Sequence, residues 1–156
     1  MMKTLVLSTA LLLSALALAE GEVPYPDGYR TWNHVKSMVI KPGHALANPF
    51  QGIHHVYAND KALRGLRSGK YPDGAVLVFD LLHYVDKDAA LTEGDRKLVG
   101  VMVRDRNRYR STGGWGFEGF AGNSRVERLT SDGGASCFSC HQSQESQGYV
   151  FSQWRP

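Results

Sequence analysis

Cysteine is scarce in this sequence, with two residues in 156, both inside the stretch GGASCFSCHQSQ. A framework of several disulfides is therefore excluded. As a bridge the pair would close so short a loop that it would stabilise the chain only weakly. Long apolar runs are scarce too. The one example, from Leu5 to Ala19, is 15 residues long, short of the ~20 needed to span a bilayer. Methionine is nearly absent from the body of the chain, where Met38 and Met102 stand alone. Neither charge dominates, and no internal repeat or low-complexity linker interrupts the sequence.

The apolar run has a meaning of its own. Lys3 precedes it, and Ala17-Leu18-Ala19 closes it with small residues, the layout of a secretory signal peptide cleaved after Ala19. Residues 1–19 are therefore expected to be a signal, and residues 20–156 a single exported domain in the periplasm, with no membrane association after cleavage. Of the 18 lysines and arginines, Lys3 leaves with the signal, so 17 basic side chains face 15 acidic ones. That balance gives no footprint for nucleic acid or an anionic membrane. The local run RDRNRYR at 104–110 reads as the solvated end of a strand and its turn.

Three chemistries use a C-x-x-C. A thioredoxin-type centre wants the motif early, after a strand in a βαβ pattern, whereas Cys137 and Cys140 lie near the C-terminus after a Gly-rich loop. A zinc site needs two further ligands at ordered spacing, and no H-x3-5-H partner exists. The third chemistry accounts for every residue of the pentapeptide CFSCH. Two thiols add across the haem vinyl groups, and the histidine that follows becomes the proximal iron ligand. Cys137, Cys140 and His141 are thus assigned to covalent haem c, with His141 on the iron.

The opposite face of the iron has no evident ligand. Small electron-transfer cytochromes c place a methionine well downstream of the motif, yet none follows His141. Met38 and Met102 lie in strand-like apolar runs (VKSMVI, KLVGVMVRD) and read as core residues. His34, His44, His54, His55 and His83 complete the candidates. Without an obvious sixth ligand, the iron is expected to be five-coordinate and open to small molecules.

The rest of the chain reads mainly as strands: residues 52–59, 75–85, 97–105, 115–120 and 149–154 are rich in β-branched and aromatic side chains. Between the first two, NDKALRGLRSGK has helical spacing, with Asn59 or Asp60 to cap its start and Gly69 to end it. YPDGA at 71–75 is a turn. The expected fold class is mainly β (α+β), an antiparallel sheet carrying one or two helices.

Taken in order, YRTW at 29–32, IHHVYAND at 53–60, YPDGAVLVFDLL at 71–82, VMVRDRNRY at 101–109, GGWGF at 113–117 and CFSCH at 137–141 resemble the cytochrome P-460 family across nearly the whole chain after the signal. The resemblance implies one of two functions. One branch carries a lysine cross-linked to its haem and oxidises hydroxylamine. The other, cytochrome c′-beta, lacks the cross-link and binds nitric oxide or carbon monoxide. In the enzymes the lysine follows the P-D-G turn, and here Phe79 occupies that position while Lys70 precedes the turn. The acidic proton acceptor has no counterpart, with Ser136 standing before Cys137, and His54 replaces an expected arginine. These departures point away from hydroxylamine chemistry.

Phe79 and Phe50 match the two phenylalanines that cap the distal haem face in the cytochrome c′-beta branch, and His54 is the third distal-pocket candidate. Neighbours on a strand face opposite sides, so His55 is expected to look out to solvent. Arg104, Asp105, Trp115 and Phe117 are expected near the haem or its propionates from their order in the chain. The resemblance also implies a homodimer. A hydroxylamine-oxidising enzyme and a six-coordinate electron carrier with an electron-transfer partner are the competing functions.

Overall fold

The computed structural model describes residues 22–156, so the signal reading of residues 1–19 lies outside the described residues. Five strands form one antiparallel sheet in the order of the sequence: β1 (Asn33–Ile40), β2 (Gly52–Ala58), β3 (Val76–Lys87), β4 (Ala90–Arg104) and β5 (Trp115–Ala121). Each connection joins neighbours, as expected where short turns link alternating apolar segments. Among the described residues the α-helices are α1 (Ala47–Phe50), α2 (Asp60–Ser68) and α3 (Ala135–His141).

Register sorts the side chains into two faces. On the front, His54 pairs with Leu81, Val56 with Phe79 and Ala58 with Leu77. Leu77, Phe79 and Leu81 continue that face to Met102, Gly100 and Leu98, and Phe117 and Gly119 of β5 complete it. Val56, Ala58, Leu77, Phe117 and Trp115 are buried there with Ala62 and Leu66 of α2 and with Val150. Each such aliphatic or aromatic side chain contributes roughly 1.5–3 kcal/mol by leaving water. The back face buries Val78, Val99, Val101 and Phe120 beneath Val23 and Tyr29 of the N-terminal segment.

A polar knot anchors that segment. Asp80 is fully buried. It accepts from Tyr29 Oη at 2.7 Å, from Arg96 Nε at 2.6 Å and from Arg96 Nη2 at 3.2 Å. Burial, reinforced by the bond to Asp80, pushes the Tyr29 phenol far above its ordinary pKa, and the carboxylate raises that of Arg96.

Helix α2 forms where its sequence pattern predicts. The Asn59 side-chain oxygen accepts from Ala62 N at 2.8 Å and from Val76 N at 3.1 Å, while its amide donates to the Gly74 carbonyl at 2.9 Å. One asparagine therefore caps the helix and ties it to the turn leading into β3. Gly69 ends the helix with φ 72°, in the left-handed region where glycine has no steric penalty.

One expected strand is absent. Residues 149–154 carry strand-forming side chains but have no strand partner. Tyr149 sits at φ 68°, its N–H donates to the Gln144 carbonyl at 2.7 Å, and Val150 turns into the front core. Propensity specifies a pleated surface only where a partner edge is available. The run VKSMVI became the outermost strand instead.

Candidate functional site

The CFSCH pentapeptide lies on α3, where residues i and i+3 share a side. Cys137 and Cys140 therefore project together. Cys137 is partly buried against the front core, and Cys140 is exposed. Burial, with the Asp132 carboxylate nearby, pushes the Cys137 thiol above its ordinary pKa. That direction is opposite to the one that activates redox thiols. Among the described residues no group of three or more His, Cys, Asp or Glu side chains is arranged around a metal position.

His141 closes the helix with its ring between two others. Centroid distances are 5.0 Å to Phe117 and 5.0 Å to Phe151. Its Nδ1 stands 2.8 Å from the Tyr149 carbonyl. A carbonyl only accepts, so the proton is on Nδ1 and the lone pair is left on Nε2. Burial lowers the imidazole pKa, and the Tyr149 bond opposes that. A neutral imidazole with its back nitrogen tied to the backbone is the form in which histidine ligates a metal.

Across the front face stand the distal candidates. Phe79 packs against Phe50 in an edge-to-face pair with centroids 5.8 Å apart, and against His54 at 4.4 Å. Sequence reasoning joined these three residues from different segments, and the fold brings them together: Phe50 from the end of α1, His54 from β2 and Phe79 from β3. Between Phe79 and β5 the front face carries no side chain at Gly100, the register partner of both Phe79 and Gly119. A Cβ at Gly100 would meet only ordinary contacts, the nearest at 3.4 Å. At Gly119 the Leu129 side chain lies against the strip, its Cβ 3.3 Å from where a glycine-borne Cβ would stand. Around it, Met38, Leu129 and Phe151 are 37%, 52% and 50% exposed.

His54 is 2% exposed, and its Nδ1 has no hydrogen-bond partner. Burial, then the charges of Lys36 and His55, push its pKa down to about 4 from the ordinary histidine value of 6.5. Between those values the unfolded chain binds a proton that the folded chain refuses. This contribution to stability is thus complete above pH 6.5 and fades as the pH falls toward 4, by up to about 3 kcal/mol. His54→Leu should make the urea midpoint less sensitive to pH between 7 and 4 than in the unsubstituted protein, and parallel pH profiles would show that His54 is not held neutral.

His55 points to the back face as alternation requires, but its side chain is only 14% exposed. It meets Ser37 and Glu93 rather than open solvent, because neighbouring strands surround it. Trp115 and Phe117 lie on the front face, Phe117 against Phe138 and His141 of α3. Arg104 stacks over Trp115 at 5.4 Å, and its Nη1 donates to the Gly113 carbonyl at 2.5 Å. Asp105 is spent on the following turn, accepting from Asn107 N and Arg108 N at 3.0 Å each. Sequence reasoning missed Tyr149 and Phe151, which the 149–154 strand expectation absorbed. Their closeness to the motif was the available signal.

The donor set and its surroundings fit a haem: one oriented imidazole with a free Nε2, two thiols on one helical turn and partly exposed apolar side chains beside them. Residues 26–152 match the family described as Cytochrome P460. No curated protein matches the chain.

Proposed function

This chain belongs to the cytochrome P460 family and is a haem protein, and from that premise we propose that it carries covalent haem c and belongs to the cytochrome c′-beta branch. In this reading it is exported to the periplasm and takes up neutral diatomic gases, nitric oxide or carbon monoxide, for sequestration, detoxification or sensing. The observation that carries the reading is Phe79, an aromatic ring paired with Phe50 and His54 where the hydroxylamine-oxidising enzymes have their cross-linking lysine.

Cys137 and Cys140 would hold the haem through thioethers, and His141 Nε2 would bind its iron, oriented by the Tyr149 carbonyl. The iron, when bound, supplies one open coordination position for a diatomic ligand. Phe79 and Phe50 exclude water from that side and offer no hydrogen-bond donor. A dry, uncharged pocket favours small neutral ligands over ions, whose desolvation is costly. His54, uncharged at neutral pH, is the polar group at the edge of this lid.

An optical spectrum of the purified protein tests the reading. The expected result is a high-spin ferrous form that changes on adding carbon monoxide. A far red-shifted Soret band would assign a lysine cross-link and the oxidase chemistry, and sharp low-spin bands would assign a six-coordinate carrier. Phe79→Ala removes an aromatic pair worth about 0.5–1.5 kcal/mol. It should accelerate carbon monoxide association roughly 2- to 10-fold, measured by flash photolysis. Unchanged rates would take Phe79 out of the lid.

A further inference from the structure

Behind the sheet, on the face turned away from α3, polar side chains from three strands meet in line. His34 Nε2 is 2.9 Å from Ser37 Oγ, and His55 Nδ1 is 2.6 Å from the same oxygen. His55 Nε2 lies 2.6 Å from Glu93 Oε1, without aligning on the ring N–H. We propose that His34 and His55 form a second ligand site, one for an imidazole-preferring divalent cation of the zinc or copper(II) class.

The backbone builds this juxtaposition deliberately. Residues three apart on a regular strand face opposite sides. In β1 the register slips between His34 and Lys36, so that His34 pairs with Tyr57 and Ser37 with His55. Tyr57 and His55 are two apart and share a face, and the bulge brings His34 onto it. Bulges re-aim side chains in this way and cluster beside functional sites.

The chemistry of the donors points to a cation. Two imidazole nitrogens converge on one hydroxyl, which can donate to one of them and accept from the other, so a cation could take the place of that hydroxyl proton between the two rings. Glu93 Oε1 stands 2.6 Å from the far nitrogen of His55, a carboxylate charge beside that nitrogen rather than an aligned hydrogen bond. A carboxylate behind a histidine is the usual outer partner of a metal-bound imidazole. The His34 ring is steadied by Tyr57, centroids 5.8 Å apart, and Tyr57 by Tyr29 at 5.6 Å, so the pair rests on the rigid Asp80 knot. Imidazole suits zinc and copper(II). With two histidines and a hydroxyl the site would be open and exchangeable, falling short of the three-residue clusters that are absent among the described residues. It is independent of haem.

Calorimetric titration of the haem-loaded protein with Zn2+, and electron paramagnetic resonance with Cu2+, test this site. One equivalent should bind, with nitrogen hyperfine structure in the copper spectrum. His34→Gln and His55→Gln should each weaken Zn2+ binding at least tenfold while melting like the unsubstituted protein. Glu93→Gln should weaken it about tenfold, the lower end for an outer partner. His44→Gln and His83→Gln, at exposed histidines elsewhere, should change nothing. Absence of Zn2+ binding, or affinity unchanged in His34→Gln and His55→Gln, would overturn the proposal.

Discussion

Replacing Asp80 with alanine should lower the unfolding free energy by about 3–5 kcal/mol, the range for removing one partner of a buried ion pair. The carboxylate has no exposed surface, and the Arg96 side chain is 15% exposed. Without Asp80, the guanidinium loses both its bonds to the carboxylate and keeps that to Asn123, and Tyr29 is left with an unpaired buried hydroxyl, each loss a desolvation cost. The Tyr29 segment would lose its anchor on the back of β3. Urea denaturation followed by tryptophan fluorescence measures the effect, and Asp80→Asn, which keeps the shape and part of the hydrogen bonding, should lose less. A loss below 1 kcal/mol for Asp80→Ala would mean that Tyr29 and Arg96 find water or other partners.

The second large effect concerns the tether. Cys137→Ser with Cys140→Ser should abolish haem retention under acid–acetone extraction and on denaturing gels stained for haem, whereas the unsubstituted protein should keep its haem through both if the proposed thioethers hold it. Either single substitution leaves one thioether and should alter the pyridine haemochrome spectrum without releasing the group. Stability of the polypeptide itself should change little, because Cys140 is exposed and Cys137 only partly buried. Haem extracted freely from the unsubstituted protein would overturn the covalent assignment and leave family membership untouched.

Much of this was legible in the linear pattern for a definable reason. Asn59 and Gly69 bracket α2 because capping and left-handed termination are local requirements that single residue types meet. Strands β2 to β5 follow from short-range alternation and turn chemistry. Phe50, His54 and Phe79 were joined through the family resemblance, and no periodicity would have linked them. The run at 149–154 misled because its side chains suit a strand while the sheet offers it no edge, and the backbone was drawn instead into contacts with His141 and the front core. The strength of the Asp80 knot was equally hidden, since Tyr29 and Arg96 lie far from it along the chain.

The order of residues alone determined the C-x-x-C-H motif, the antiparallel β character, the α2 boundaries and the phenylalanine at position 79, because each depends on chemistry within a few residues. Only the tertiary structure decided which nitrogen of His141 is free, that His54 is buried and neutral, that Phe50, His54 and Phe79 meet on one face, and that His34, Ser37, His55 and Glu93 converge. Those properties arise from strand register and from what excludes water. Both are set by contacts between segments distant in the chain, to which a local pattern carries no reference.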